Sequence, residues 1–238
     1  MEEVQIIIGV PGKWKNRTEL IQAVASNGDG YLMAGYIIHN TKKDVCFEVE
    51  VYEHDPHLRE AFSYAGSFED GLLDEIEHHT LTVYVIANIN GFEDLKELVD
   101  VGASLLKSGG LAVKIETARI AHTKDEWYQL LENKDYLSIY SHFVTLIGDE
   151  ESYFSCGMKA FGLPDVITSS SISPEEAADL LNNFNLYNII EQPSFKEGET
   201  FSLEQNSPLY KIAFINECRY EKEDVFFNPF GFIHLFQA

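Results

Sequence analysis

Several histidines of this chain lie where metal ligands are often found, at the ends of predicted strands. His54, Asp55 and His57 come directly after one predicted strand, and His122 follows another. Imidazole nitrogens and carboxylate oxygens are the groups that zinc, iron and manganese bind in proteins. The pattern therefore predicts a divalent-metal site built from these four side chains, and no other cofactor is expected.

Two further side chains, Glu116 and His78, could join such a site, because each is also predicted at the end of a strand. The alternative is structural. Asp55-Pro56 is typical of a helix start, with Asp as the N-cap and Pro in the first turn. In that case the histidines lie at the surface or at helix ends, and the absence of an HExxH motif favours this interpretation.

Cys156 is the candidate nucleophile, with His142 or His122 as its base. The chain has no GxSxG nucleophile motif. The segment 9–13 lies between a predicted strand and a predicted helix, but Trp14 stands where a phosphate-binding loop needs Ser or Thr. Because aromatic residues precede Cys156, a small buried apolar residue is the simpler interpretation.

A dense aromatic segment near the C-terminus is the candidate binding surface. It includes Phe226, Phe227 and Phe230 within residues 226–232. Exposed aromatic side chains often anchor a protein partner or line a ligand groove. The alternative is a C-terminal plug that completes the hydrophobic core.

The chain of 238 residues carries a formal charge of −22. Such a surface repels nucleic-acid phosphates and anionic lipids, so neither nucleic acid nor a membrane is expected as a partner. It favours a basic protein partner, while the oligomeric state stays open. The three cysteines are odd in number and form no CxxC pair, so reduced thiols are expected. The acidic residues 1–3 do not begin a signal peptide, so the protein is expected in the cytoplasm.

Hydrophobic periodicity predicts an α+β fold with mixed sheets and helices on one face. Residues 1–118 follow the order β-α-β-β-α-β, typical of a ferredoxin-like unit. Residues 119–238 are a second α+β unit, closely packed with the first and also potentially ferredoxin-like. The predicted strands of the first unit include residues 4–10, ended by Pro11-Gly12, and residues 31–39.

Two local patterns in this sequence are clear. Over residues 45–52, Phe47 and Val49 alternate with Glu48 and Glu50, which is typical of a strand with one face in solvent. Residues 173–176 (SPEE) combine a Ser N-cap, Pro at the first helical position and Glu at the third. They predict a helix that begins at this point.

Residues 155–158 (SCGM) and 161–165 (FGLPD), together with 109–116 (GGLAVKIE) and 227–231 (FNPFG), resemble the domain of unknown function 4261 (DUF4261) family. The similarity is expected to cover nearly the whole chain. It implies a bacterial protein that acts as one unit. Because the family has no established activity, the resemblance assigns no residue a functional role.

Two functional hypotheses follow. The favoured one is a non-catalytic protein that binds a basic partner, such as an immunity-like or regulatory protein, since the charge is large and no catalytic motif is assembled. The alternative is a metal-dependent hydrolase or another small-molecule enzyme that uses the His, Asp and Glu side chains. These groups would then have to converge on one centre.

Overall fold

The computed structural model describes residues 4–205, 207–215 and 219–238, and it confirms the α+β class. Residues 5–134 form one compact unit and residues 135–238 form another. The strands of the first sheet are β1 (Val4–Gly12), β2 (Tyr31–Ala34), β3 (Ile37–Asn40), β4 (Val45–Glu53), β5 (Leu81–Ile89), β6 (Ala112–Ile115) and β7 (Ile120–Thr123). The helices of this unit are α1 (Arg17–Asn27), α2 (Leu58–Ala65), α3 (Asp70–Glu77), α4 (Phe92–Lys107) and α5 (Lys124–Glu132).

The order of strands in the first sheet is β2-β3-β4-β5-β1-β6-β7. Strand β1 thus lies between β5 and β6, as a split β-α-β arrangement requires. Strands β2 and β3, which lie almost entirely within residues predicted as one strand of that unit, extend one edge of the sheet, and β7 forms the other edge.

Residues 119–134 belong to the first unit, although the sequence analysis assigned them to the second. Strand β7 pairs with β6, and α5 packs on α4. The contact between the helices is made by Trp127, whose Nε1 donates to the main-chain oxygen of Val99 at 3.0 Å. Gly102 makes this packing possible, because a Cβ there would lie 2.8 Å from the Trp127 ring.

Two predicted strands of the first unit have different limits in the structure. Strand β1 continues through Gly12, because Pro11 and Gly12 accept hydrogen bonds from Leu111 and Thr80. The strand predicted over residues 31–39 is the hairpin β2–β3, which turns at Gly35 with φ of 58°. Glycine adopts this left-handed conformation without the clash that a Cβ would cause.

The second sheet has the order β11-β12-β13-β10-β9-β8. Its strands are β8 (Thr145–Gly148), β9 (Ser152–Cys156), β10 (Asp165–Ser169), β11 (Thr200–Phe201), β12 (Tyr210–Ile215) and β13 (Phe232–Gln237). The helices are α6 (Tyr136–Phe143), α7 (Pro174–Glu191) and the short 3-10 helix Met158–Phe161. Among the described residues of this second sheet, β10 and β13 pair in parallel and the other neighbouring strands pair antiparallel.

Helix α7 packs its apolar side on the second sheet and closes the core of this unit. Leu180 and Phe184 lie against Val166 and Ile212. The predicted helix start is confirmed, since Ser173 and the third helical residue form a reciprocal capping box. Within the described residues, α7 is the one α-helix that connects strands of this sheet, so a second ferredoxin-like unit is not formed.

Among the helices of the described residues, none combines the length and the apolar character that crossing a membrane requires.

Candidate functional site

One face of the first sheet is exposed to solvent across β2, β3 and β4. Alternate side chains along these strands are buried, as Met33, Ile38 and Val49 show, and the residues between them point to the opposite side. The antiparallel register brings the exposed side chains onto one surface. We call this surface the open face, and it consists of Leu32, Ile37, Cys46, Glu48, Glu50 and Tyr52.

Helices cover the same side of the sheet only at its other end. There Phe62 of α2 and Ile76 of α3 pack with Ala112 and Ala121 of β6 and β7. Helices α4 and α5 lie on the opposite side. Helices therefore lie on both faces of this sheet, which corrects the prediction that they lie on one face.

The open face combines apolar and acidic side chains. Leu32 and Ile37 are each 47% exposed, and Tyr52 is 55% exposed. Glu48 and Glu50 stand between them on β4 and are exposed as well. At one end, a cleft lined by Cys46, Glu48, Asp94 and Glu97, among other residues, adds further carboxylates.

Two tyrosines meet on this side of the sheet, Tyr52 of β4 and Tyr84 of β5. Their ring centroids lie 5.6 Å apart with an interplanar angle of 80°, an edge-to-face contact. The Tyr52 hydroxyl donates to Oε2 of Glu50 at 2.9 Å, and this hydrogen bond raises the pKa of Tyr52. Burial, reinforced by Glu116 and Asp55, raises the pKa of Tyr84 to about 12. Both phenols are therefore protonated at neutral pH.

Gly9 of β1 leaves the space in which Tyr84 and Glu116 meet. A Cβ at Gly9 would lie 2.9 Å from the Tyr84 ring and 2.9 Å from Oε1 of Glu116. The other Glu116 oxygen pairs with the Lys114 ammonium, and both side chains are largely buried. Glu116, which directly follows β6, thus forms an ion pair with Lys114 of the same strand.

His79 is buried directly after α3, and both of its ring nitrogens bind the main chain. Nδ1 donates to the oxygen of Ile76 at 2.6 Å, and Nε2 accepts from the N–H of Asp55 at 3.1 Å. This pattern requires a neutral ring protonated on Nδ1. Burial lowers the pKa of His79 in the same sense. His79 therefore fixes the segment between β4 and α2, and it has no lone pair left for a metal ion.

The four predicted metal ligands have separate local roles. The Nδ1 of His54 lies 3.1 Å from the main-chain oxygen of His79, and its ring centroid lies 4.8 Å from that of His79. Asp55 accepts from the N–H of His57 at 2.9 Å, a local turn of the kind that precedes helices. His122 is buried on β7, with its ring centroid 6.0 Å from that of Trp127.

Among the described residues, no group of three or more His, Cys, Asp or Glu side chains is arranged to hold a metal ion. His78, the further candidate, places Nδ1 2.7 Å from the main-chain oxygen of Asp74 at the end of α3. In the described part of the chain, the predicted ligands therefore do not converge on one metal-binding centre. It does agree with the alternative, in which the histidines support loops and helix ends.

We expect His79→Gln to reduce the dependence of stability on pH. The pKa of His79 in the fold lies below the unperturbed 6.5, so the folded chain binds fewer protons there than the unfolded chain. The wild-type protein should therefore lose stability as the pH falls below about 6.5, with a slope of up to about 1.4 kcal/mol per pH unit from this residue. Urea unfolding at several pH values, followed by tryptophan fluorescence, measures the slope.

The control for this experiment is His57→Gln, which changes an exposed histidine of the same region. Its slope should equal that of the wild-type protein. Identical slopes for His79→Gln and the wild-type protein would contradict the assignment of a buried neutral imidazole.

The second unit buries a polar network around Asp165 at the start of β10. Asp165 accepts hydrogen bonds from Nδ2 of Asn228 at 2.7 Å, the N–H of Met158 at 3.1 Å and Oγ of Ser155 at 3.3 Å. Burial raises the pKa of Asp165 to about 6, although these donors act in the opposite direction. The carboxylate is thus held in the interior by donors from three separate segments.

Lys159 extends this network to the long connection between β12 and β13. Its ammonium donates to the main-chain oxygens of Val225 and Phe227, the latter at 3.1 Å. Burial lowers the pKa of Lys159. Lys159 and Asn228 together hold the main chain of residues 225–231 against the sheet. These roles could not be predicted from the sequence, where the one local signal is the charged Asp165 within the apolar stretch 163–167.

The aromatic residues predicted to bind a partner lie in this held segment. Phe226 and Phe227 are half-buried, whereas Phe230 is 41% exposed. A binding role for Phe226, Phe227 and Phe230 stays a prediction, and Phe230 offers the most accessible of the three rings.

The candidate nucleophile Cys156 is buried on β9. Of its two predicted bases, His142 places Nδ1 2.8 Å from the main-chain oxygen of Ser138, and His122 is buried in the first unit. A buried thiol in apolar surroundings is generally unreactive. Cys46 is exposed, and Cys218 lies outside the described residues.

Comparison with known proteins bears on the second unit. Residues 154–231 match the family model described as a domain of unknown function (DUF4261), a segment that contains the whole Asp165 network. The resemblance was expected over nearly the whole chain, whereas the match covers this segment. No curated protein and no solved structure matches the chain. Residues 154–231 of this chain are thus similar to the DUF4261 family.

Proposed function

We propose that this protein is a non-catalytic binding protein whose open face contacts a basic protein. The observation that carries the proposal is the composition of that face, where Glu48 and Glu50 alternate with buried residues and are flanked by exposed Ile37 and Tyr52. Protein interfaces commonly combine such apolar anchors with charged groups around them.

The charge of the whole chain supports the same kind of partner. At −22 it attracts a basic protein over long distances, and the carboxylates of the open face orient the partner at close range. Apolar side chains alone would not select a basic partner, and carboxylates alone would hold it weakly. The two together account for both selectivity and affinity.

We also propose that the protein works in the reducing cytoplasm. Cys46 is a free thiol and is exposed on the open face. Free exposed thiols persist where thiol reductants are present. An immunity-like protein that neutralises a basic toxin, or a regulatory protein, would have these properties.

The proposal is tested by capture of partners from an extract of the source cells. The baits are the wild-type protein, the open-face variant Glu48→Lys/Glu50→Lys, and a control variant, Glu191→Lys/Glu223→Lys. The control changes the net charge by the same amount at exposed positions of the second unit. We expect the wild-type and control baits to retain the same basic protein in near-stoichiometric amount, and the open-face variant to lose it.

Three outcomes would contradict the proposal. The first is equal loss in both variants, which would show that net charge alone retains the protein. The second is equal retention by all three baits, and the third is retention of no basic protein by any bait.

A further inference from the structure

We infer that Tyr52 and Tyr84, with Glu50, form the part of the open face that receives a single arginine or lysine side chain of the partner, arginine in preference to lysine. This inference rests on the proposed function and names the recognition site within it. It concerns one cluster of three side chains, whereas the proposed function concerns the whole face.

The geometry of the two rings is the first argument. Their centroids lie 5.6 Å apart and their planes meet at 80°, so they form the two walls of a corner on the sheet. Tyr52 is 55% exposed, so this corner is accessible from solvent. The face of a tyrosine ring attracts a cation, and the planar guanidinium of arginine also stacks on it.

The position of the carboxylate is the second argument. Glu50 pairs directly with Tyr84 in the register of β4 and β5, and it accepts the Tyr52 hydroxyl at 2.9 Å. This hydrogen bond fixes the carboxylate beside both rings. A carboxylate has about four lone-pair positions, so Glu50 can accept further N–H groups while it holds Tyr52.

An unsatisfied hydroxyl beside the tyrosines is the third argument. Thr82 is paired with Tyr52 across β4 and β5 and lies on the same side of the sheet as Tyr84. Its side chain is 98% buried, and its Oγ1 finds no hydrogen-bond partner among the described residues. Buried polar groups without partners are uncommon in folded proteins, and this hydroxyl on the same side of the sheet keeps its lone pairs for an N–H donor.

The neighbouring ion pair shows which carboxylate remains for a ligand. Glu116 lies near the Tyr84 ring, across the space that Gly9 leaves. Its carboxylate is already paired with the Lys114 ammonium. The Lys114–Glu116 pair thus shows that a carboxylate on this side of the sheet already binds a cationic side chain of the protein itself. Glu50 is exposed and accepts a hydrogen bond from the neutral Tyr52 hydroxyl, so it is the carboxylate that an incoming cation would meet.

The test uses two blocked octapeptides, one of alternating arginine and glycine and one in which citrulline replaces arginine. Citrulline keeps the shape of arginine and removes its charge. Binding to the full chain is followed by NMR with labelled tyrosine rings. We expect the arginine peptide to shift the Tyr52 and Tyr84 resonances, and the citrulline peptide to bind at least about fivefold more weakly.

The variants are Tyr52→Leu, Tyr52→Phe and the matched control Tyr64→Leu, which removes a tyrosine that is 83% exposed on α2. We expect Tyr52→Leu to weaken binding of the arginine peptide about fivefold, because the cation loses one ring. Tyr52→Phe keeps the ring but loses the hydroxyl that holds Glu50, so its affinity should fall between those of the wild-type protein and Tyr52→Leu. Tyr64→Leu should stay within about twofold of the wild-type protein. Thermal unfolding of each variant confirms that it is folded.

The outcomes separate this inference from the proposed function. If Tyr52→Leu binds the arginine peptide as the wild-type protein does, or if arginine and citrulline peptides bind equally, the inference is overturned, whatever the capture experiment shows. If Tyr52→Leu weakens peptide binding and the capture experiment recovers no basic protein, the site stands and the proposed function fails.

Discussion

Asp165→Ala is expected to destabilise the second unit by about 3–5 kcal/mol. The carboxylate satisfies three donors in the interior, from Ser155, Met158 and Asn228. Alanine would remove the acceptor from all three, although the Asn228 amide would keep its hydrogen bond to the main-chain oxygen of Leu163. It would also remove the negative charge near the buried Lys159 ammonium. The burial of Asp165 is itself unfavourable, as its raised pKa shows, so the loss comes from the stranded donors.

This effect has to be measured with a probe of the second unit. The chain has two tryptophans, Trp14 and Trp127, and both lie in the first unit. Tryptophan fluorescence therefore reports on the wrong unit, whereas hydrogen exchange of the β10 and β13 amides in increasing urea reports on the right one. The control is Asp179→Ala, an exposed site on α7, with an expected change of about 0.5 kcal/mol or less. A change below about 1 kcal/mol for Asp165→Ala would contradict the account of this network.

The association rate with the captured partner is expected to fall at least about tenfold when the ionic strength rises from about 0.01 M to about 0.3 M. The reason is the long-range attraction between a chain of charge −22 and a basic protein. The screening length falls from about 30 Å to below about 10 Å over this range, so the steering is lost. Stopped-flow measurements at several salt concentrations give the rate.

The dissociation rate serves as the internal control in this experiment, because it depends mainly on short-range contacts and should change much less. An association rate that does not respond to salt would mean that charge plays no part in the encounter. In that case the apolar side chains of the open face would have to account for binding without the carboxylates.

The part of the open face that β4 forms could be predicted from the sequence. The alternation of Phe47 and Val49 with Glu48 and Glu50 predicts a strand with one face in solvent, and β4 has this property. This succeeded because a period of two is a local pattern. The pairing of Tyr52 with Tyr84 was not predictable in the same way, since it depends on the register of β4 and β5, which are separated by two helices.

The histidines show a second limit of sequence reasoning. Residue types and strand ends predicted a metal site, yet His54 lies against the main-chain oxygen of His79 and Asp55 accepts the main-chain N–H of His57. The type of a residue does not reveal whether the backbone will occupy its polar atoms first. The network of Asp165 illustrates the same limit, because its donors Met158 and Asn228 lie far apart in the chain and meet only in the folded unit.

The most direct test of the proposed function is hydrogen exchange of the full chain with and without the partner that the capture experiment recovers. The account predicts slower exchange in residues 37–53, which form β3 and β4, and little change in residues 225–231. Protection confined to residues 225–231, around the exposed Phe230, would contradict it and would place the interface on the aromatic segment of the second unit instead.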